Sequence, residues 1–243
     1  AFYNCKALTH AALPEGVTEI PQHAFYGCSA LASVDIPSTV TTIVGYSFQN
    51  CAALKDVTLP DGLTAIGAYA FSGCKALESI AIPSKVTTIE NHAFYQCANL
   101  KTATFSEGLV SLQDDVFYQC VLLEDVTFPA SLETIGARTF GGCNSFTKIS
   151  INIEDIHDYC TGLTAIELGD KVKSIGRNAF ISNGGNAVAS IPCHAATPPV
   201  LGSSAFGSVG GTVAGKKYVY VPAESFDAYE KEWAVLTNTN GYI

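Results

Sequence analysis

Cysteine is the residue of this chain best suited to chemistry, because thiolates bind metals and form disulfides. Seven of the nine cysteines end a Phe-x-x-Cys motif that returns every 23 residues. No two cysteines form the tight C-x-x-C pair of zinc sites, so their spacing argues against a metal centre. Coils stacked about 5 Å apart would bring successive cysteines within disulfide range, yet side chains in one register run parallel. The pattern favours a column of buried free thiols, with one or more disulfides as the alternative and Cys193, which lies off the register, as the first exception.

The five histidines and the carboxylates form no recognisable catalytic motif in the sequence. No H-E-x-x-H or His-Asp-Ser grouping is present. His23 and His92 share a repeat position three coils apart, about 14 Å, which is too far to share a metal. His157 stands in a shortened coil beside Glu154, Asp155 and Asp158, where solvated charges are a simpler interpretation than a cation site. We therefore expect no cofactor, no metal and no catalytic residue. An enzyme acting on polysaccharide would need two carboxyl groups within about 10 Å in a cleft.

The cysteines belong to a repeat unit that reads L-x-x-V-x-I-P-x-x-V-x-x-I-x-x-x-A-F-x-x-C-x-x. The alternating V-x-I predicts a short strand with one buried face, which ends at the proline because proline has no N–H to donate. The V-x-x-I spacing predicts a turn-like or 3₁₀ return arm, since 23 residues leave little room for a long helix. The Ala-Phe pair is predicted to fill the interior of the coil, and its phenylalanine is called the plug phenylalanine below. Apolar edges above and below each coil are buried only by stacking on neighbours.

The repeat register extends over most of the chain, with nine strand arms predicted to end near residues 14, 37, 60, 83, 106, 129, 152, 169 and 192. Cys160 follows Cys143 after 17 residues, a deletion of six, and Asn183 occupies the next cysteine position. Beyond residue 192, residues 218–222 read as a last strand. Residues 224–233 read as a short helix with Phe226, Tyr229 and Trp233 on one side. We predict a solenoid over 1–192, truncated at its N-terminal end because the chain begins inside a repeat, and a C-terminal cap over 193–243.

The register seen whole over residues 59–74, L-P-D-G-L-T-A-I-G-A-Y-A-F-S-G-C, resembles the BspA-like subfamily of leucine-rich repeats. The resemblance covers roughly residues 1–192, and the tail is similar to the closing segment common in such proteins from Bacteroidetes. It implies a right-handed solenoid, a secreted or surface-attached location and adhesion to host or microbial partners, with no catalytic residues to carry over. The expected fold is a β-rich member of the α/β repeat class: a right-handed leucine-rich-repeat solenoid of 23-residue coils with short strands, turn or 3₁₀ return arms and a C-terminal cap.

Two exterior surfaces are candidates for binding. Tyrosines beside the buried phenylalanine should lean outward, where aromatic groups could contact sugars or a partner protein, or they could pack on the neighbouring coil. The second surface is the outer strand face, which is small, polar and mildly acidic and could equally be a plain solvated face. The candidate residues on the two surfaces are Tyr26, Tyr95 and Tyr118, and Asp35, Asp56, Thr58, Thr102, Thr104, Asp125, Thr127 and Lys148.

Composition narrows the class of partner. The 243 residues are 48% hydrophobic and only 14% charged, and 13 basic against 22 acidic residues give a formal charge of −9. Such a balance argues against nucleic acid, which requires clustered Lys and Arg, and no apolar run approaches the roughly 18 residues of a membrane span. We expect an extracellular or cell-surface monomer that binds a host or microbial protein or glycan. The alternative is a structural spacer that presents another domain.

Overall fold

The computed structural model describes residues 1–145, 148–152, 155–156, 163, 165–176, 179–180, 190–202, 205 and 218–233. It is a β-solenoid of about seven turns with coils of about 23 residues, which confirms the predicted fold class. The chain divides into two compact units, Ala1–Ser145 and Phe146–Ile243. A solenoid-to-cap boundary at residue 193 stays a prediction. Cys160, His157 and Asn183 lie outside the described residues, as do Glu154 and Asp158.

The first unit is built from short strands, two in most of its coils. These are β1 (His10–Ala12), β2 (Glu19–Ile20), β3 (Ser33–Asp35), β4 (Thr42–Ile43), β5 (Ala65–Ile66), β6 (Ser79–Ile82), β7 (Thr88–Ile89), β8 (Thr102–Phe105), β9 (Ser111–Leu112), β10 (Asp125–Thr127) and β11 (Thr134–Ile135). One ladder joins β1 to β3 and β6 to β8 to β10, all parallel. A second parallel ladder runs β2, β4, β5, β7, β9, β11. Partners are 23 residues apart, so stacking keeps the repeat register.

The strand of the V-x-I segment forms because its side chains alternate between core and solvent. In β3 the side chain of Val34 is buried while those of Ser33 and Asp35 are exposed. The coil between β3 and β6 is an exception, since only a single bridge, Ser33 to Asp56, replaces its predicted strand. Val57 is half-buried there, whereas the equivalent Val34 is buried. The first ladder is therefore interrupted at one coil.

The return arm differs in part from the predicted turn-like or 3₁₀ conformation. Within residues 1–145 it is flanked by turns, but its centre is a two-residue strand rather than a 3₁₀ segment. Hydrogen bonds between coils explain the difference: the Thr41 N–H donates to the Thr18 carbonyl at 2.8 Å, and the Val44 N–H to the Ile20 carbonyl at 3.0 Å. A 3₁₀ turn would direct these donors into its own coil. Parallel stacking offers them partners in the neighbouring coil instead.

Two columns of recurring side chains, one of phenylalanine and one of cysteine, run through the interior of the first unit beside buried Leu, Val and Ile. Phenylalanine rings from Phe2 to Phe140 stack with centroids 5.2–5.7 Å apart. Beside them, each thiol from Cys28 to Cys143 donates to the carbonyl of the phenylalanine 26 residues earlier, at 2.8–3.2 Å. All described cysteines are free, Cys193 included, which confirms the predicted column of free thiols.

Burial sets the ionisation of the thiol column. Desolvation, together with a smaller contribution from the neighbouring Cys28 sulfur, raises the pKa of Cys51 from 9.0 to about 12. Desolvation is also the largest cause that raises the pKa values of Cys74 and Cys120 well above 9.0. These thiols are therefore neutral at physiological pH and serve as small apolar groups with one weak donor each.

The second unit repeats the pattern of short strands. These are β12 (Lys148–Ile151), β13 (Asp155–Ile156), β14 (Ala165–Leu168), β15 (Ser174–Ile175), β16 (Ser190–Pro192), β17 (Val200–Leu201) and β18 (Tyr218–Tyr220). β12 pairs with β14, β13 with β15, β15 with β17, and β16 with β18, all in parallel. The predicted last strand near residue 220 is thus present.

A short helix closes this unit. A 3₁₀ turn, Ala223–Ser225, leads into α1 (Phe226–Glu232), and the phenol of Tyr229 donates to the Ala195 carbonyl at 2.8 Å. The Trp233 indole N–H donates to the Pro199 carbonyl at 3.0 Å, and both rings are buried. The prediction that Phe226 lies on this buried face is wrong, because its side chain is 49% exposed. The buried stripe is Ser225, Tyr229 and Trp233, four residues apart, so Phe226 falls one position outside it.

No helix in the described part of the chain is both long enough and apolar enough to cross a membrane.

Candidate binding surface

A row of aromatic side chains runs along the exterior of the first unit. Its members occupy two positions of the repeat, two residues before and one residue after the buried plug phenylalanine. We call this row the aromatic ridge, and it consists of Tyr3, His23, Tyr26, Tyr46, Tyr69, His92, Tyr95 and Tyr118. All but Tyr3, which is 57% exposed, are half-buried.

The rings of the ridge contact one another without a gap. Centroids of successive rings are 4.4–5.5 Å apart in the order Tyr3, Tyr26, His23, Tyr46, Tyr69, His92, Tyr95, Tyr118. Tyr–Tyr pairs and the Tyr69–His92 pair are nearly parallel, with interplanar angles of 8–11°. His23 and His92 make the crossings between the two repeat positions. Eight rings in six coils therefore form one continuous surface.

Backbone geometry places these rings outside while the adjacent phenylalanine points inward. His23, Tyr46, Tyr69 and His92 have φ values of 58–64°, in the left-handed region that non-glycine residues seldom adopt. Hydrogen bonds between coils hold this turn, because the Tyr46 N–H donates to the Ala68 carbonyl at 2.9 Å and the His92 N–H to the Asp114 carbonyl at 3.0 Å. Each coil thus fixes the ridge position of the previous one.

The ridge ends at an ion pair. Two residues before the plug phenylalanine, Asp115 stands in the last coil of the ridge and Arg138 in the coil after it. The Arg138 guanidinium donates to both carboxylate oxygens of Asp115 at 2.9 and 2.6 Å. The Asp115 side chain is 3% exposed, and its second oxygen also lies 3.4 Å from His92 Nε2. These contacts raise the pKa of Arg138. The buried carboxylate is therefore held by two basic groups, and the aromatic stack passes directly into a charged cluster.

The predicted tyrosines lie on this ridge. Tyr26, Tyr95 and Tyr118 stack on rings of adjacent coils and remain half-buried. The two predicted alternatives, packing on the neighbouring coil and outward exposure, therefore both hold in part. The sequence predicts that His23 and His92 share one repeat position, and Tyr46 and Tyr69 occupy the same position in the two coils between them. It did not join them into a single surface. The shared 23-residue spacing was the signal that could have done so.

The predicted strand face is separate from the ridge. Its described members are exposed on the outer side of the first ladder: Asp35, Asp56, Thr58, Thr102, Thr104 and Thr127. Asp125 and Lys148 lie in β10 and β12, but their side chains are outside the described part of the structure. Thr102 pairs with Ser79 and Asp125 across the ladder. Small hydroxyl and carboxylate groups, without a ring among them, make up this face.

A polar cluster of His10, Ser33 and Asp35 on the strand side is not apparent from the sequence. His10 Nδ1 lies 2.9 Å from Ser33 Oγ, and His10 Nε2 lies 3.4 Å from Asp35 Oδ2. These residues are 23 and 25 positions apart, so only stacking brings them together. The three residue types are those of a serine hydrolase triad, but the ring nitrogens are exchanged, because such a triad has serine at Nε2 and aspartate at Nδ1. The Asp35 side chain is also 71% exposed, whereas the carboxylate of such triads is buried. The geometry supports a solvated surface network. No group of three potential metal ligands is found within the described ranges.

Comparisons with known proteins agree with this geometry. The model of the BspA type leucine rich repeat region matches in six copies, over residues 1–122 and 64–185. A T. pallidum leucine-rich repeat protein of solved structure is 33% identical with a TM-score of 0.58, over 60% of this chain and 68% of that chain. A Bacteroides ovatus leucine-rich repeat protein is 27% identical with a TM-score of 0.57, over 86% and 66%. One from Eubacterium ventriosum has the same identity and TM-score, over 70% and 47%.

The chain thus spans just under two thirds of the B. ovatus protein and about half of the E. ventriosum protein. No curated protein matches the chain.

Proposed function

The chain belongs to the BspA-type leucine-rich repeat family, and we propose that it is a non-catalytic adhesion module that recognises a protein or glycan of a host or microbial surface through the exterior of its solenoid. Repeat proteins of this kind bind over extended surfaces, because each coil adds its own side chains to a common face. Binding would occur outside the cell or at its surface, by a monomer.

The observation that carries this proposal is the unbroken aromatic ridge. Its eight half-exposed rings run across six coils beside an interior that is already filled by phenylalanine. The interior column alone would plug the coils, so the ridge is additional aromatic area at the surface. Tyrosine is enriched at binding hot spots, because its ring offers large apolar area and its hydroxyl a hydrogen bond.

Charge supports the choice of partner class. The formal charge of −9 disfavours nucleic acid, whose phosphates would be repelled. The strand face offers hydroxyls and carboxylates, which suit a glycan or a polar protein segment. Both exterior surfaces are therefore retained as binding candidates, and the experiment must separate them.

The test is binding of the intact chain to two arrays, one of glycans and one of host and microbial surface proteins, followed by affinity measurement with purified hits. A ridge variant, Tyr95→Ser with Tyr118→Ser, and a strand-face variant, Thr102→Lys with Thr104→Lys, are compared with the unaltered chain. We expect at least one ligand whose affinity falls about tenfold or more in one of the two variants. Circular dichroism must show that both variants remain folded. A folded chain that binds nothing on either array would contradict the proposal and favour a structural spacer.

A further inference from the structure

We propose that the aromatic ridge is a docking site for an extended, basic polypeptide segment. The inference rests on the proposed function and adds to it the surface used and the chemistry of the partner. Three features of the ridge lead to this partner: the part of each ring that remains open, the charge around the rings, and the polar groups on one flank.

The ring geometry favours polypeptide over sugar. Within the ridge the tyrosine faces are turned toward each other, as in Tyr46–Tyr69 at 4.9 Å and 9° and Tyr95–Tyr118 at 5.4 Å and 9°. A pyranose that packs on an aromatic residue uses the open face of the ring, and stacking covers those faces. Ring edges and phenolic hydroxyls remain. They suit the aliphatic stems and charged heads of Lys and Arg, which lie along apolar surface and donate hydrogen bonds at the tip.

Within the ridge segments the charge has one sign, and the cation that borders them at one end, Arg138, is paired with Asp115. The segments that carry the ridge in five of its six coils, residues 21–28, 44–51, 67–74, 90–97 and 113–120, contain the carboxylates Glu90, Asp114 and Asp115 and no Lys or Arg. Glu90 and Asp114 are exposed, and Asp115 is occupied by Arg138 of the next coil. The first unit as a whole has 13 acidic and 6 basic residues, a formal charge of −7 over residues 1–145. A cationic partner is attracted here, while anionic glycans, lipids and nucleic acids are repelled.

The flank of the ridge can bind a peptide backbone. Two residues after each plug phenylalanine stands either an amide side chain or glycine: Asn4, Gly27, Asn50, Gly73, Gln96, Gln119 and Gly142. The Gln96 side-chain amide Nε2 donates to Gln119 Oε1 at 2.7 Å. Asn50 lies over Gly73, where an added Cβ would be 2.6 Å from Asn50 Oδ1. Tyrosine beside Asn, Ser and Gly is also the composition of antibody paratopes, which bind proteins with rigid rings and adaptable polar groups.

The length of the ridge sets the length of the segment. Five coil steps separate Tyr3 from Tyr118, about 24 Å at the spacing of stacked strands. An extended polypeptide covers this distance with about seven residues. A segment of that size can place three or four side chains along the row of ring edges.

The experiment selects ligands from a phage-displayed library of random 12-residue peptides on the intact chain, and it measures selected synthetic peptides by fluorescence anisotropy at low and high salt. Tyr95→Ser removes one ring, and Tyr95→Phe keeps the ring but removes its hydroxyl. Glu90→Gln with Asp114→Asn neutralises the flank but keeps the oxygens that accept the Ala68 and Ala137 N–H groups at 2.8 Å. Asp61→Asn with Glu124→Gln is the matched control, with the same change in charge at exposed positions outside the ridge segments.

We expect the selected peptides to be rich in Lys and Arg and to bind less tightly at high salt. Tyr95→Ser should weaken binding about tenfold or more. The double variant Glu90→Gln with Asp114→Asn should weaken peptide binding about two- to tenfold and reduce its salt dependence. The control, Asp61→Asn with Glu124→Gln, should change the affinity by less than about twofold. Selection of no peptides, of acidic peptides, or of peptides that bind all variants equally would overturn the inference.

The same variants on a glycan array separate this inference from the proposed function. Glycan binding that is lost in Tyr95→Ser would overturn the polypeptide assignment but leave the ridge as the site. Binding that is lost only in the variant Thr102→Lys with Thr104→Lys would show that the ridge is not the binding site. The protein would then remain an adhesion module that binds through its strand face. Absence of any ligand in every arm would overturn both.

Discussion

Two aromatic columns run side by side through the same coils, and they differ in almost everything except spacing. The buried phenylalanines stack with centroids 5.2–5.7 Å apart, and the rings of the ridge with centroids 4.4–5.5 Å apart. Phe94 is fully buried, while the next residue, Tyr95, is half-buried. Coil spacing alone therefore imposes stacking on any ring that recurs at one repeat position. Stacking is therefore not in itself a sign of binding. The residue types at each repeat position are what can distinguish a packed column from a binding surface.

The interior column is uniform because its volume is fixed. Every coil of the first unit has phenylalanine there, since a smaller side chain would leave a cavity between neighbours. The ridge instead changes its residue types and even its repeat position, yet Tyr26, Tyr46, Tyr69, Tyr95 and Tyr118 still supply one tyrosine to each of five consecutive coils. Packing does not demand that continuity at a half-exposed surface. The proposed binding function would account for it.

The largest expected effect distinguishes the two columns by stability. Phe94→Ala should lower the free energy of unfolding by about 3–5 kcal/mol, because it opens a cavity in the middle coils. Tyr95→Ala, one residue later, should lower it by about 1 kcal/mol, since much of that ring is already hydrated. Urea unfolding followed by circular dichroism measures both. Equal losses would mean that the ridge is a structural column like the interior one.

A smaller effect tests the packing at the end of the ridge. A Cβ added at Gly141 would lie 2.8 Å from Cδ2 and 2.9 Å from Cε2 of Tyr118, so Gly141→Ala should destabilise the protein by about 1–3 kcal/mol. Gly62→Ala is the control, because its Cβ would come no closer than 3.4 Å to another atom, the Ser38 carbonyl oxygen. In a Tyr118→Ala background the cost of Gly141→Ala should largely disappear. A cost that persists there would show that Tyr118 does not occupy this space.

The thiol column supplies a pH-dependent contrast with the ridge. Burial raises the pKa of Cys51 from 9.0 to about 12, so between these values the folded protein keeps a proton that the unfolded chain loses. The thiol therefore contributes stability that is fully present below pH 9 and is lost as pH rises toward 12. Between pH 8 and pH 10 the unaltered chain should lose about 1.4 kcal/mol more than Cys51→Ala. Urea midpoints across that range measure the difference, and parallel pH profiles would contradict the burial of this thiol.

Much of the fold follows from the sequence, because a 23-residue period leaves few alternatives. Buried positions, the strand of the V-x-I segment and the free thiols could all be predicted from spacing and residue type. The second strand on the return arm could not, since its hydrogen bonds depend on where the neighbouring coil places its carbonyls. Phe226 was assigned to the buried helix face because it is apolar, whereas the structure buries Ser225, whose hydroxyl donates to the Ala196 carbonyl at 2.7 Å.

The candidate site was predicted only in pieces. Tyrosines beside the plug were recognised one coil at a time, and the strand face was given more residues than the ridge. Contacts such as Tyr69 on His92 at 4.4 Å join two residue types in one stack, which a search for identical residues does not find. The salt bridge between Asp115 and Arg138 was missed for the same reason, although the two residues are one repeat apart.

The smallest expected effect concerns the hydroxyls of the ridge and bears most directly on function. Tyr95→Phe should change the free energy of unfolding by less than about 0.5 kcal/mol, because it keeps the ring stacked between its neighbours and alters only a half-exposed edge. If the ridge binds a partner through those hydroxyls, the same substitution should weaken binding without weakening the fold. Thermal unfolding and peptide affinity measured on one preparation decide the question. A loss of stability comparable to that of Tyr95→Ala would show that the hydroxyl belongs to the packing of the solenoid, and the ridge would then resemble the phenylalanine column more than a binding surface.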